Sequence, residues 1–251
     1  MQDTQSPDLW SVSEFERARA QSHSSSFGNF DGPTVLPTTL LADLRRLESI
    51  GDSDDVLQVT AACMRQREAA MLCFDLQGRV WPVTLFPLQM VYHSPRSLAD
   101  AGPQVLSRLQ LLRIEPAGVR PPGHVMHERV AELNRYRPLA PLLWALALQG
   151  PRASLLTEIA GSMAYRAVKS AEGDGVVLGG AMRSAAERLR RETVSLRTVS
   201  EWPGMSLERA SRLLNGLYLG SSLLATRAHP AAREGKASGL LGMLRWPKSG
   251  R

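Results

Sequence analysis

The segment SLRTVSEWPGMSLERASRLLNGLYLGSSLLATRA, residues 195–228, decides the fold of the C-terminal part of this chain. Leu196 and Val199 have the i, i+3 spacing of one face of a short helix. Residues 202–205, Trp-Pro-Gly-Met, should end that helix, because proline lacks an amide donor and glycine accepts positive φ. Ser206 is a candidate N-cap of a second helix, whose apolar stripe consists of Leu207, Ala210, Leu213, Leu214 and Leu217. Residues 223–227, LLATR, follow as a predicted short strand.

The order of short helix, tight turn, second helix and strand resembles the winged-helix superfamily of helix-turn-helix proteins. The resemblance covers about an eighth of the chain. It implies a winged-helix-like domain over residues 174–230, in which a basic amphipathic helix over 178–192 is the first helix and 206–218 is the recognition helix. The outward residues of that recognition helix are predicted to be Glu208, Arg209, Ser211, Arg212 and Asn215.

The same resemblance implies which side chains would contact duplex DNA. Arg209 and Arg212 would pair with guanine and Asn215 with adenine, because these side chains match the hydrogen-bonding edges of those bases. The predicted phosphate contacts are Arg188, Arg190 and Arg191 on the first helix and Arg227 on the wing. Since many winged helices bind proteins instead, these residues form the predicted contact set for either kind of partner.

The charge of the chain is unevenly distributed between its two parts. Residues 1–150 carry 14 arginines against 16 acidic residues, a net charge of −2. Residues 151–251 carry 16 basic against 8 acidic residues, a net charge of +8. The basic part also contains the helix-turn-helix pattern, and this coincidence indicates an acidic partner, nucleic acid included. A solvated basic face without a ligand is the alternative interpretation.

The N-terminal part is predicted to be an arm followed by a mixed module. Residues 1–36 read as a flexible arm with one helical turn over 13–20, because residues 22–33 are rich in serine and glycine. Residues 37–118 are predicted to form an α+β module. Its elements would be a helix from Thr38 or Thr39 to Ile50, a helix capped by Ser53, a hairpin of strands 70–76 and 80–86 around Gln77-Gly78, and a strand over 109–115. Pro82 cannot donate to a ladder, so its strand should be an edge or bulged there.

Three further predictions complete the organisation of the chain. Residues 119–173 are interpreted as a helical linker, with helices over 125–136 and 138–148. Residues 231–251 are interpreted as a loose basic tail. The predicted fold class is therefore α+β: an N-terminal α+β module with a β-hairpin, a helical linker and a C-terminal winged-helix-like domain.

The sequence contains no complete pattern for catalysis or metal binding. His124 and His127 are spaced i, i+3, whereas a zincin helix needs histidines at i, i+4 with a glutamate beside the first. The three aspartates of residues 52–55 lack the glycine and the final glutamate of a calcium loop. Phosphate-loop and nucleophile-elbow motifs are missing from the sequence, and Cys63 and Cys73 are predicted to be buried thiols. We therefore expect a protein that is not an enzyme and has no cofactor and no metal site.

These observations favour a regulatory or adaptor protein that binds a protein partner. A DNA-binding transcriptional regulator is the alternative, although Glu208 would repel the phosphate backbone. The sequence has neither an apolar run of bilayer length nor a signal peptide, so we expect a cytoplasmic, bacterial protein without a membrane partner. Self-association is left open.

Overall fold

The computed structural model describes residues 9–21, 35–170 and 176–232. The chain divides into two compact units, residues 1–152 and residues 153–251. Both units combine helices with antiparallel sheets, which confirms the predicted α+β class. Most of the predicted basic tail over 231–251 lies outside the described residues.

The first unit is built around an antiparallel sheet flanked by helices. Its helices are α1 (Val12–Gln21), α2 (Thr38–Ser49), α3 (Val56–Gln66), α4 (Pro103–Leu106) and α5 (Leu139–Gln149). Its strands are β1 (Ala70–Leu76), β2 (Arg79–Phe86), β3 (Val91–His93), β4 (Gln110–Pro116) and β5 (Tyr136–Pro138). In the described residues these strands form one sheet in the order β4-β1-β2-β3-β5. The first three strands in that order are the longest, and two of them, β1 and β2, carry most of the buried apolar side chains of the sheet.

The predicted hairpin is confirmed, and the role of its proline is explained by the neighbouring strands. Strands β1 and β2 pair from Ala70↔Leu85 to Leu76↔Arg79 around the Gln77-Gly78 turn. On the other side of β2, β3 pairs only with residues 84–86, so the strand is a local edge at Pro82. The amide of Val80 points away from β1, because it donates to the carbonyl of Trp10, and Pro82 lies two residues further on the same side. The missing amide of Pro82 therefore removes no bond from the β1–β2 ladder.

The prediction of a flexible arm over residues 1–36 is wrong for residues 9–21. The Val12 amide donates to the Gly78 carbonyl, so the chain pairs briefly with the start of β2 before α1 begins. Phe15 is buried in a cluster with Met71, Cys73 and Val80. The sequence pattern showed the helical turn, but burial of this one aromatic side chain against the sheet was not visible in it. The other residues predicted as the arm, except 35 and 36, lie outside the described residues.

Several local predictions for the first unit are corrected by its geometry. Pro37, rather than Thr38 or Thr39, occupies the N-cap position of α2 and makes no side-chain cap. Asp55 rather than Ser53 caps α3, by accepting from the amides of Leu57 and Gln58. Residues 125–136, predicted as a helix, form two 3₁₀ turns that lead into β5. The segment interpreted as a helical linker, 119–173, contributes β5 and α5 to the first unit and a strand to the second.

The described part of the second unit combines three α-helices with a small sheet. Its helices are α6 (Gly180–Leu189), α7 (Leu196–Ser200) and α8 (Leu207–Leu219). Its strands are β6 (Ala164–Ala167), β7 (Val194–Ser195) and β8 (Leu223–Thr226), in the order β7-β6-β8. The central strand β6 precedes α6 in the chain and pairs with β8 from Ala164↔Thr226 to Ala167↔Leu223.

The two helices that the opening segment predicts are present with the predicted turn between them, and Ser206 caps the second helix as predicted. Ser195 and Ser206 each accept a hydrogen bond from a backbone amide at the start of their helices. Gly204, in the turn between α7 and α8, has a φ of +72°. A Cβ at this position would also come within 2.8 Å of the Ala181 side chain on α6. The turn therefore requires glycine for its backbone conformation and for the close approach of α6.

Candidate functional site

Asn215 and Ser211 were predicted to face outward on α8, but both belong to the interior of the second unit. Asn215 is fully buried; its Oδ1 accepts from the Leu156 amide at 2.9 Å and its Nδ2 donates to the Ser154 carbonyl at 2.9 Å. Ser211 is buried and donates to the Leu207 carbonyl one turn earlier. Four residues of the predicted apolar stripe are buried, Ala210, Leu213, Leu214 and Leu217, but Leu207 is 60% exposed, so its assignment to the stripe was wrong. The buried arc of α8 extends instead to polar residues beside the stripe. Asn215 is therefore a structural residue and not a contact for a base or a partner.

The predicted arginines of α8 have different environments. The guanidinium of Arg212 pairs with Glu208 at 2.9 Å, and its side chain is 13% exposed. This i, i+4 pair neutralises both groups and holds the guanidinium against the helix. Arg209 is exposed, and the described residues provide no hydrogen-bond or ion-pair partner for its side chain. Of the predicted contacts on α8, Arg209 is the one that stays available to a ligand.

Arg188, on α6, has a structural role that the sequence did not indicate. Its guanidinium pairs with Glu192 at 3.1 Å. It also lies 4.6 Å from the centroid of the buried Trp202 ring, a cation–π distance. These contacts connect the end of α6 to the turn that follows α7. Arg188 thus stabilises the unit. Its neighbours in the sequence, Arg190 and Arg191, have no ion-pair partner among the described residues.

Arg190 and Arg191, both predicted contact residues, lie at a cavity of about 380 Å³ at the C-terminal end of α6. The cavity is lined by Lys169, Ser170, Leu178, Arg183, Ala186, Glu187, Arg190 and Arg191. We call it the basic cavity. Arg183 pairs with Glu187 at 3.3 Å, whereas the side chains of Lys169, Arg190 and Arg191 have no ion-pair partner among the described residues. Within the described residues, the lining of the cavity therefore carries more positive than negative charge.

Arg227 is exposed directly after β8 and lies apart from the lining of the basic cavity. It was predicted to lie on the wing, at the end of the strand over residues 223–227. In the described residues β8 ends at Thr226 and pairs with β6, Arg227 follows it directly, and a 3₁₀ turn comes next over Pro230–Ala232. The partner of β8 comes from a segment upstream of α6, which the local pattern could not identify.

Lys169 is the residue of the basic cavity that sequence reasoning missed. It follows β6, twenty-one residues before Arg190, and nothing in its neighbours indicates a site. It joins the cavity because β6 is the central strand of the sheet and α6 packs beside it. The charge count of residues 151–251 includes Lys169, but such a count does not identify an individual side chain.

His93 is a second feature that its sequence neighbours did not reveal. It lies on β3 with its ring 5.2 Å from the ring of Tyr136 on β5. Its Nε2 atom is buried and has no hydrogen-bond partner in the described part of the chain. Burial, together with the nearby charges of Arg135 and Arg137, lowers the pKa of His93 to about 4. The imidazole is therefore neutral at pH 7.

This lowered pKa predicts that the first unit loses stability on acidification. An unfolded histidine has a pKa of about 6.5, so between about pH 6.5 and pH 4 the unfolded chain binds a proton that the folded chain rejects. The free energy of unfolding should fall as the pH decreases through this window.

Urea unfolding at pH 7 and at pH 4.5 measures the change. His93→Gln should reduce the pH dependence, and His127→Gln, at an exposed position, should leave it unaltered. Equal pH dependence in wild type and His93→Gln would contradict the assignment.

The described residues were also compared with the predictions on metals, thiols and membranes. No group of three or more His, Cys, Asp or Glu side chains in these residues could hold a metal ion. Cys63 and Cys73 are buried thiols, as predicted, and burial raises the pKa of Cys63 to about 12. Across the described ranges, every helix is too short or too polar to cross a bilayer.

Comparison of the chain with protein-family models, with the curated proteins and with the solved structures finds no match. Any function must therefore be argued from the geometry of the two units.

Proposed function

We propose that this protein is a non-enzymatic regulatory or adaptor protein that binds an acidic segment of a partner protein through the basic cavity. The observation that carries the proposal is the cavity itself, in which Lys169, Arg190 and Arg191 lack an ion-pair partner within the described residues. Arginines on a helix can form i, i+4 ion pairs, and Arg183, Arg188, Arg197 and Arg212 do so in this unit. The unpaired cations lie together at one concave site, where a carboxylate or another anion would neutralise them.

The exposed surface of α8 supports a protein partner over sequence-specific DNA. A recognition helix reads bases through several polar side chains that extend from one face into the major groove. On α8, Asn215 and Ser211 are buried and Arg212 is held by Glu208. This leaves Arg209 beside an exposed carboxylate, Glu208, and one arginine supplies little base discrimination.

Binding to duplex DNA through phosphate contacts is the second candidate function. The observation that favours it is the net charge of +8 on residues 151–251, together with the exposed Arg209 and Arg227. Such binding arises from counterion release, is independent of base sequence and weakens steeply with salt. It therefore requires no concave site, whereas an acidic peptide segment would engage the basic cavity directly.

A pair of charge-matched double variants tests the proposal. Arg190→Glu with Arg191→Glu reverses two charges at the basic cavity, and Arg166→Glu with Arg227→Glu reverses two exposed charges outside its lining. Binding of a glutamate-rich model peptide to the full chain is measured by fluorescence anisotropy at about 150 mM salt, where long-range attraction is screened. We expect the cavity variant to lose at least about tenfold in affinity, since charge-assisted hydrogen bonds are lost, and the surface variant to lose about twofold or less.

Two outcomes would contradict the adaptor hypothesis. Equal losses in both variants would show that the peptide responds to net charge and not to the basic cavity. A selection from random duplexes that converges on one motif, and fails to converge with Arg209→Ala, would support the DNA-binding regulator instead.

A further inference from the structure

The basic cavity has a charge that one carboxylate cannot balance. Of the described residues that line it, four are cationic, Lys169, Arg183, Arg190 and Arg191, and one, Glu187, carries a carboxylate. The C-terminus of α6 adds roughly half a negative charge, because the peptide dipoles of a helix add along its axis. The remaining excess is more than two positive charges, and it is located on side chains that extend from both α6 and the segment after β6.

A phosphate monoester matches this arrangement better than other anions found in proteins and nucleic acids. It carries about −1.5 to −2 charges at neutral pH and presents three acceptor oxygens. Two arginines and a lysine can each donate to a different oxygen, and an arginine fork can take two oxygens at once. A carboxylate has one charge and two oxygens. A phosphodiester has one charge, and its neighbours along a nucleic acid strand need a continuous groove.

The remaining walls of the basic cavity provide room for the group that carries the phosphate. Leu178 and Ala186 are nearly inaccessible to solvent and form an apolar part of the lining. The volume of about 380 Å³ falls at the lower end of the range for small-molecule sites, about 300–1,000 Å³, and exceeds that of a phosphate ion. An organic group attached to the phosphate could therefore lie against Leu178 while the oxygens face the cations.

We infer that the basic cavity binds a phosphate monoester dianion, which an acidic partner segment would present on a phosphorylated side chain. This inference rests on the proposed function, because it specifies the chemical group through which the partner would be held. Arg190 and Arg191 would bind the phosphate oxygens from the end of α6, and Lys169 would bind from the opposite segment. The Arg183–Glu187 pair borders the cavity and leaves the other three cations to the ligand.

Four small anions, three of which contain one aromatic ring, distinguish the ligand chemistries. The full chain is titrated, by isothermal calorimetry, with phenyl phosphate, with the diester methyl phenyl phosphate, with phthalate and with inorganic phosphate. We expect phenyl phosphate to bind at least about tenfold more tightly than the diester, because the dianion makes additional charge-assisted hydrogen bonds. Inorganic phosphate should bind more weakly than phenyl phosphate, since it lacks the ring that contacts the apolar wall.

The dependence on pH identifies the dianion. The second pKa of a phosphate monoester is about 6, so the dianionic fraction rises about fourfold between about pH 5.5 and pH 7.5, and the affinity for phenyl phosphate should rise by the same factor. The ionisable lining residues are Lys169, Arg183, Glu187, Arg190 and Arg191, and there is no histidine in the described lining that would titrate near pH 6. The diester has no ionisation in this range, so it controls for changes in the protein.

Variants separate a failure of this inference from a failure of the proposed function. Arg190→Ala and Arg191→Ala should each weaken phenyl phosphate binding by about tenfold or more, and Arg209→Ala, which removes the same charge outside the cavity, by about twofold or less. If phthalate binds as tightly as phenyl phosphate without the pH dependence, the phosphate inference is wrong and the acidic-partner hypothesis stands. If the phosphate and carboxylate probes and the glutamate-rich peptide all fail to bind, both are wrong.

Discussion

Replacing Asn215 with alanine should lower the free energy of unfolding of the C-terminal unit by about 2–4 kcal/mol. The side chain satisfies the buried amide of Leu156 and the carbonyl of Ser154. A buried backbone donor left without a partner costs about 1–3 kcal/mol, and the Ser154 carbonyl, on an exposed residue, regains water at a smaller cost. Native-state hydrogen exchange of peptides from α8, measured in the full chain, reports the stability of this unit by itself.

Arg209→Ala is the matched control on the same helix. Arg209 is exposed and unpaired among the described residues, so its removal should change stability by about 0.5 kcal/mol or less. The two variants therefore separate a structural residue from an available contact. An unchanged exchange rate in Asn215→Ala, together with weaker binding of a partner, would mean that Asn215 is a contact residue after all.

Leu213→Ala is expected to destabilise the same unit by about 2–5 kcal/mol. Leu213 is completely buried on α8, between the buried residues Ala210 and Leu217 of the same stripe. Truncation removes the transfer free energy of the lost methyl groups and leaves a cavity that the surrounding side chains fill incompletely. Hydrogen exchange on α8 should accelerate accordingly, and partner binding should weaken only in proportion to the unfolded fraction.

Leu207→Ala is the matched control, because it makes the same leucine-to-alanine change at an exposed position of the same helix. Leu207 starts the same helix and is 60% exposed. Its truncation removes the same atoms from a solvated position, so we expect a change of about 0.5 kcal/mol or less. Similar losses in both variants would show that α8 is stabilised by helix propensity instead of burial, and would contradict the core described above.

Local periodicity predicted those elements whose stability depends on neighbours in the chain. The β-hairpin of residues 70–86 and the α7–turn–α8 segment were predicted because alternation, helical spacing, caps and turn residues agreed within each segment. By contrast, residues 125–136 have an apolar spacing that suggested a helix but form 3₁₀ turns. Glu132 and Leu133 begin the second turn, which leads directly into the pairing of β5 with β3, a contact about forty residues distant in the sequence.

The candidate site was predicted in part, and the errors have one physical origin. Arg190 and Arg191 were identified because a cluster of like charges is visible in the sequence. Asn215 was assigned outward because helical spacing gives the phase of one apolar stripe but not the width of the buried arc. Whether a polar residue beside that stripe faces solvent depends on the segment packed against it, which here supplies the Leu156 amide.

The sequence by itself determined the α+β class, the hairpin, the α7–turn–α8 segment and the basic character of the C-terminal part, since each follows from spacing, turn chemistry or charge over a short stretch. Only the tertiary structure decided that residues 9–21 pack on the first sheet, that β6 pairs with β8, and that Lys169 joins Arg190 and Arg191 at one cavity. These contacts join residues far apart in the chain. Their free energy comes from burial and pairing that no local pattern encodes.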